Sequence, residues 1–342
     1  MKDIFRLLRW PALALIRLAL IVGIVWAFGA LWFDFPLAGL REAAAVAFAV
    51  LVLASLFLLR SPAARTGALA ALVVCVAGWW LTLQPSNDRD WQPDVALLPF
   101  AEIAGDKVTI RRIRDCHYRT ETDYDVRHYD RTFDLASLRT ADLYMVYWGS
   151  PYMAHTMMSF GFDGGEHVCF SIETRKEKGE GYSAVGGLYR QFELTYIVSD
   201  ERDVVRLRTN FRQGEDVYLF RLKAPAPKLR EFFMDYVQRM NSLYGEPEWY
   251  NALSDNCTTG IRTQRSTEDR APWDWRVLVN GYGDELLYER GMIDTTLPLP
   301  ELKKRSLINP AARAAGSDPR FSRRIRAALP GFGGASAAVS AP

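Results

Sequence analysis

The chain has 342 residues, a formal net charge of +2, and 24% charged against 49% hydrophobic residues. A balance so close to neutral, without a basic stripe, argues against a nucleic-acid partner. The four cysteines form no CxxC pair and no His/Cys metal spacing, so neither a metal nor another cofactor is expected.

The composition divides the chain into a very apolar first quarter and a mixed remainder rich in charge and aromatics. Three apolar stretches come first. They run from about Leu18 to Phe33, from Ala43 to Leu59, and from Thr66 to Leu83 with Trp79 and Trp80 at the outer end. Arg17 stands where it can snorkel. Each stretch approaches the roughly 17–25 residues that cross a bilayer, and three in series exclude a cleavable signal peptide. Lys2, Arg6, Arg9 and Arg17 precede the first stretch, and Arg60 and Arg65 separate the second from the third. The intervening loop holds only Arg41, between Asp34 and Glu42. The positive-inside rule therefore predicts a cytoplasmic N-terminus with everything after Leu83 outside, which in a bacterium means an inner-membrane protein with a periplasmic main domain.

A polar, proline-marked linker follows. Alternation predicts strands at 107–114 and 141–148. It also predicts a hairpin of Ala154–Phe160 with His167–Thr174, joined through the glycine-rich turn 161–165. Further strands are predicted at 193–198, 203–208 and 216–222. The period then changes. From Lys228 to Tyr244, Leu229, Phe232, Phe233, Tyr236, Val237, Met240 and Leu243 mark an amphipathic helix, stopped by Gly245 and Pro247. From about Pro310 the Ala/Arg-rich and then Gly/Ala/Ser-rich tail reads as loose. The divisions are 1–84 for the anchor, 85–140 for the linker and first part of the domain, 141–309 for the core, and 310–342 for the tail.

Cys257 is the strongest nucleophile candidate. Asp255 or Asn256 can cap a helix opening there, and a thiol in a first helical turn is drawn toward the thiolate. Free N–H groups at such a turn can also bind an oxyanion, with Asn256 and Thr258 in support. Of the four histidines, His155 opens a strand, His117 and His128 read as surface residues, and His167 lies at a loop edge. Counting through the turn places Glu173 or a neighbour opposite His155, with Glu166 and Asp163 as competitors. The adjacent Cys116 and His117 point to opposite faces of an extended strand and read as incidental. Arg175, Lys176, Arg190 and Arg208 are candidates for a phosphate headgroup, although surface ion pairs are the commoner role.

The order of strand histidine, strand glutamate, long helix and helix-opening cysteine resembles a circularly permuted papain-like fold of the NlpC type. More closely, residues 87 to about 330 resemble the Lnb-type N-terminal periplasmic domain family. The segments carrying the likeness are NDRDWQPDVA (87–96), GDKVTIRRIRD (105–115), YDRTFDL (129–135), MAHTMMSFGF (153–162), FSIETRKEKGEGYSAVGGLYRQFEL (170–194), DERDVVRLRTNFRQGEDVYLFRL (200–222) and WYNALSDNCTTGIR (249–262). Behind the three transmembrane helices read from the apolar stretches, an anchor arranged differently from that of the best-known family members, the resemblance implies a membrane-anchored α+β protein with an antiparallel sheet and packed helices. It also implies a thiol acyltransferase that moves a fatty acyl chain from a phospholipid to the N-terminal amine of a lipoprotein. Cys257 would be nucleophile, His155 base and Glu173 orienting carboxylate. The residues alone leave open a thiol hydrolase (lipase, thioesterase or cell-wall peptidase) and a non-enzymatic membrane-tethered binding module.

Overall fold

The computed structural model describes residues 2–252, 274–277 and 279–332. They form two compact units: Met1–Ser86 with Tyr182–Glu193, and Asn87–Gly181 with Leu194–Pro342.

In the first unit, α1 (Lys2–Asp34), α2 (Arg41–Leu58) and α3 (Pro62–Leu81) follow one another. Pro62 stands at the first helical position, where its missing N–H costs nothing, and Ser61 Oγ caps Ala64 N. Ala27, Ala30, Phe48, Val52, Leu69 and Val76 face inward. Leu18, Ile21, Val25, Val50, Leu51 and Val74 face outward and are exposed. So much outward apolar surface on helices of this length suits hydrocarbon rather than water. Trp10–Asp34, Arg41–Leu58 and Pro62–Leu81 are each long and apolar enough to cross a membrane.

The second unit is built on one eight-stranded sheet. Its strands are β1 (Phe100–Ala104), β2 (Lys107–Arg114), β5 (His128–Asp134), β6 (Leu138–Trp148), β7 (Ala154–Phe162), β8 (His167–Arg175), β9 (Glu193–Ser199) and β10 (Glu215–Arg221). The order is β1-β2-β9-β8-β7-β6-β10, with β5 also paired to β2. A small ribbon of β3 (His117–Tyr118) and β4 (Tyr124–Asp125) stands apart. The β7/β8 hairpin is antiparallel, as its alternation predicts, with Met157 opposite Ser171 and Phe160 opposite Val168.

Both faces of the sheet are covered. On β6, Leu143, Met145 and Tyr147 join one apolar cluster, while Tyr144 and Val146 join the other. This is why all nine residues of β7 are buried. The first face packs α5 (Ala226–Gly245), whose seven predicted apolar positions are all buried. Phe160 lies 5.1 Å from Phe233 and 5.7 Å from Tyr236, ring centre to ring centre.

Two sequence expectations fail here. Residues 203–208 are not a strand. They belong to α4 (Glu201–Arg206) and a π-helical turn over Leu207–Phe211. Asp200 caps this helix by accepting Arg202 N at 2.8 Å. Val204, Val205 and Leu207 are buried by helical spacing, although paired valines suggest extended chain. The tail is also not loose as far as residue 332. After α6 (Gly283–Glu289) and α7 (Leu299–Arg305), the chain forms α8 (Asn309–Ala315) and α9 (Phe321–Arg326). Ala312, Ala315, Phe321 and Ile325 complete the second apolar cluster.

Arg326 explains that docking. It donates to Asp142 at 2.9 Å and to both oxygens of Glu201, at 2.8 and 2.6 Å. Tyr144 and Ser159 also donate to Glu201, at 2.7 and 2.5 Å, and Arg221 donates to Asp142. Burial alone would raise the Glu201 carboxyl, but Arg326 outweighs it and holds the group far below the usual glutamate range.

Candidate active site

Strand register brings the first two site residues together. The β7/β8 pairing continued two positions past Met157 and Ser171 sets His155 opposite Glu173. His155 Nε2 lies 2.7 Å from Ser171 Oγ and 3.1 Å from Glu173 Oε1. Ser171 in turn donates to Glu173 Oε1 at 2.7 Å. His155 and Ser171 are buried, and Glu173 is partly buried. A carboxylate at Nε2 favours the tautomer protonated there, which makes Nδ1 the basic nitrogen of a neutral ring.

The π-helical turn supplies a third member. Arg208 Nη2 donates to Glu173 Oε1 at 2.8 Å, and Nη1 pairs with Glu215 at 3.3 Å. Burial works to raise the Glu173 carboxyl, but His155 and Arg208 outweigh it and hold it well below the ordinary range. The same two carboxylates hold the buried Arg208 guanidinium above its ordinary value. Glu173 is therefore a fixed anion beside the imidazole. Alternation places Ser171 on the same strand face as Glu173, but the role of Arg208 is not visible in sequence, where residues 203–208 read as a strand and the arginine as a surface residue. The one sequence signal was Asp200, a helix cap three residues ahead of Asp203.

Competing groups have other partners. Asp163 pairs with Arg139 and Glu166 with Arg131. His117 is exposed, 3.6 Å from Asp115. His128 and His167 are shifted toward their neutral forms by burial, and His167 Nδ1 lies 3.0 Å from Gly165 O. Cys75, Cys116 and Cys169 are free thiols. Burial, with Asp203 nearby, pushes Cys116 up to about 12, and burial pushes Cys169 well up. Both are inert at neutral pH.

Of the headgroup candidates, Arg208 is thus committed to Glu173 and Glu215, and two more serve the protein as well. Arg175 is 2% exposed, lies 4.1 Å over the Trp91 ring, and donates to Val95 O, Asn87 Oδ1 and Ala96 O. Arg190 donates to Trp80 O and Leu83 O at 2.7 and 3.0 Å. Lys176 is half-buried, and its carbonyl accepts from Gln92 N.

Cys257, Asn256 and Thr258 lie outside the described residues. The described chain that resumes after them packs at the start of β7. Asn280 Oδ1 accepts Ala154 N at 2.9 Å, and Gly281 N donates to Tyr152 O at 3.1 Å. A Cβ on Gly281 would fall 2.2 Å from Pro151 O, so only glycine fits that approach.

Residues 124–281 match the model of a family described as the Lnb N-terminal periplasmic domain. No curated protein and no solved structure matches the chain.

Proposed function

We propose, from the match of residues 124–281 to the Lnb N-terminal periplasmic domain model, that this membrane protein is a thiol acyltransferase of the bacterial inner membrane. Its N-terminus is cytoplasmic, its main domain is periplasmic with a permuted papain-like fold, and Cys257 is its nucleophile. The observation that carries the reading is the His155–Ser171–Glu173–Arg208 array, a base held by an anion that is itself held by a buried cation. The close packing of residues 280–281 on the start of β7 supports it, because this anchors the segment after Cys257 beside the histidine strand.

The chemistry follows. His155 Nδ1 takes the proton from Cys257 Sγ. The thiolate attacks a phospholipid ester carbonyl, and the electron pair moves onto the carbonyl oxygen, for which Asn256 and Thr258 are the candidate oxyanion supports. The C–O bond breaks, His155 returns its proton to the leaving oxygen, and a lysophospholipid departs from an acyl thioester. An amine, that of a lipoprotein N-terminal cysteine on this reading, attacks the thioester and gives its proton to His155. The amide forms, and the sulfur leaves and recovers that proton.

The test uses the full chain in nanodiscs with a phospholipid labelled in its acyl chain. Mass spectrometry of Cys257 is expected to find an acyl adduct that a lipoprotein-like amine discharges as amide and that His155→Ala does not form. Discharge to free fatty acid alone would favour the hydrolase, and absence of any adduct would remove the enzyme reading.

A further inference from the structure

Residues Tyr182–Glu193 connect β8 to β9 in sequence, yet they form one compact unit with the three apolar helices. Tyr189 stacks on Phe33, ring centres 5.3 Å apart. Its hydroxyl occupies the space over Gly29, where an added Cβ would lie 2.0 Å away. Gly29 precedes the end of α1 at Asp34 by more than one turn, roughly 7 Å along the axis at about 1.5 Å per residue.

The loop is locked there. Arg190 N donates to Asp34 Oδ2 at 3.1 Å, and Trp80 Nε1 donates to the same oxygen at 2.6 Å. The Arg190 guanidinium lies 3.9 Å over the Trp80 ring while bonding Trp80 O in the last turn of α3 and Leu83 O just beyond it. On this footing the short turn Gly186–Leu188 buries Gly186 and Gly187 and turns Val185 and Leu188 outward, 55% and 43% exposed.

Outward valine and leucine on an isolated surface loop carry no message. Here their loop is pinned through Tyr189 and Arg190 to a helix bundle whose flanks expose apolar side chains, and Trp79, Trp80 and Tyr189, which pack on that bundle's apolar cluster, are side chains that favour a membrane–water boundary. We infer that Tyr182–Glu193 is an interfacial hook: Val185 and Leu188 enter the acyl region of the leaflet at that end, and the partner is phospholipid. Continuity with the lipid-facing helix flanks selects lipid over a second polypeptide. The inference needs the helices to span a bilayer, but not the proposed acyl transfer.

The experiment places a benzophenone amino acid at Val185, at Leu188, at Phe57 on α2 as a helix control, and at the exposed Glu121 as an aqueous control. The full chain is irradiated in phospholipid nanodiscs, and adducts are identified by mass spectrometry. Lipid adducts at Val185 and Leu188 are expected about tenfold above Glu121, approaching Phe57. A second arm adds Gly29→Leu, which displaces Tyr189. Lipid capture at Leu188 is then expected to fall several-fold while capture at Phe57 holds. Yields at Val185 and Leu188 no higher than at Glu121, adducts on a second polypeptide in place of lipid, or capture at Leu188 indifferent to Gly29→Leu would each overturn the hook.

Discussion

Glu173 Oε1 lies within 3.1 Å of three donors: the His155 ring, the Ser171 hydroxyl and the Arg208 guanidinium. This concentration makes the residue a positioning group for the imidazole, and it predicts how substitutions divide. Glu173→Gln keeps the shape but removes the charge and can present its NH₂ to the ring. Acyl-thioester formation is expected to fall by about 10²–10⁴-fold with little change in lipid KM, and Glu173→Asp to recover part of it. Equal loss in both variants, or a loss confined to KM, would make the residue merely structural. The pH dependence follows from the depressed carboxyl. Above the ordinary glutamate range it is ionised in folded and unfolded chains alike, so its stabilising effect is complete and flat. As pH falls below about 4.5 the unfolded chain binds a proton that the folded chain still refuses, and stability declines until the folded value is passed. Denaturation midpoints followed from about pH 6 to about pH 3 should therefore slope less in Glu173→Gln than in the parent. Identical slopes would show that the carboxylate is not held down.

α4 with its π-helical turn, together with α9, ties distant parts of the second unit together through buried charge. Glu201 faces Arg326, Asp203 accepts from Arg114 at 2.8 Å through both nitrogens of a fork, and Arg208 reaches Glu173, so one short segment places three charges in three buried networks. Arg326→Met would leave Asp142 with Arg221 alone and strip Glu201 of its cation. A loss of about 3–5 kcal/mol is expected, because a buried ion that loses its partner keeps its desolvation cost. Asp200→Ala removes the cap and a partly exposed pair with Arg202, and should cost about 1 kcal/mol. Thermal melts that rank the two variants in the opposite order would refute this weighting. These networks also mark where the sequence stopped being legible. The hairpin and α5 could be read because their periods, two and 3.6, repeat over enough residues to be distinct. His155 and Glu173 could be paired by counting through one turn. Residues 201–208 could not, because their acids and arginines look solvent-facing until partners far along the chain are known. The tail failed for the same reason: Arg326 finds Asp142 and Glu201 well over a hundred positions earlier.

At the scale of the whole chain, the three helices act as more than a leash. A tether that holds a lipid-using domain at the bilayer confines encounters with donor and acceptor to two dimensions, and by that logic any anchor would serve. Tyr182–Glu193 changes the expectation, because this segment of the sequence-predicted periplasmic domain takes its packing partners from α1 and α3: Phe33, Gly29, Asp34 and Trp80. A chain beginning at residue 87 would leave Tyr189 without its stacking partner and Arg190 without the carbonyls it caps, beside the already exposed Val185 and Leu188. That chain is expected to self-associate in size-exclusion chromatography and to be cleaved by protease within 182–193 much faster than the full protein in nanodiscs. Leu188→Ser with Tyr189→Ser, made in the shortened chain, should restore a monomer without removing the loop's susceptibility. A shortened chain that is monomeric and as protected as the parent would mean that the segment folds without the helices, and that any membrane anchor could replace them.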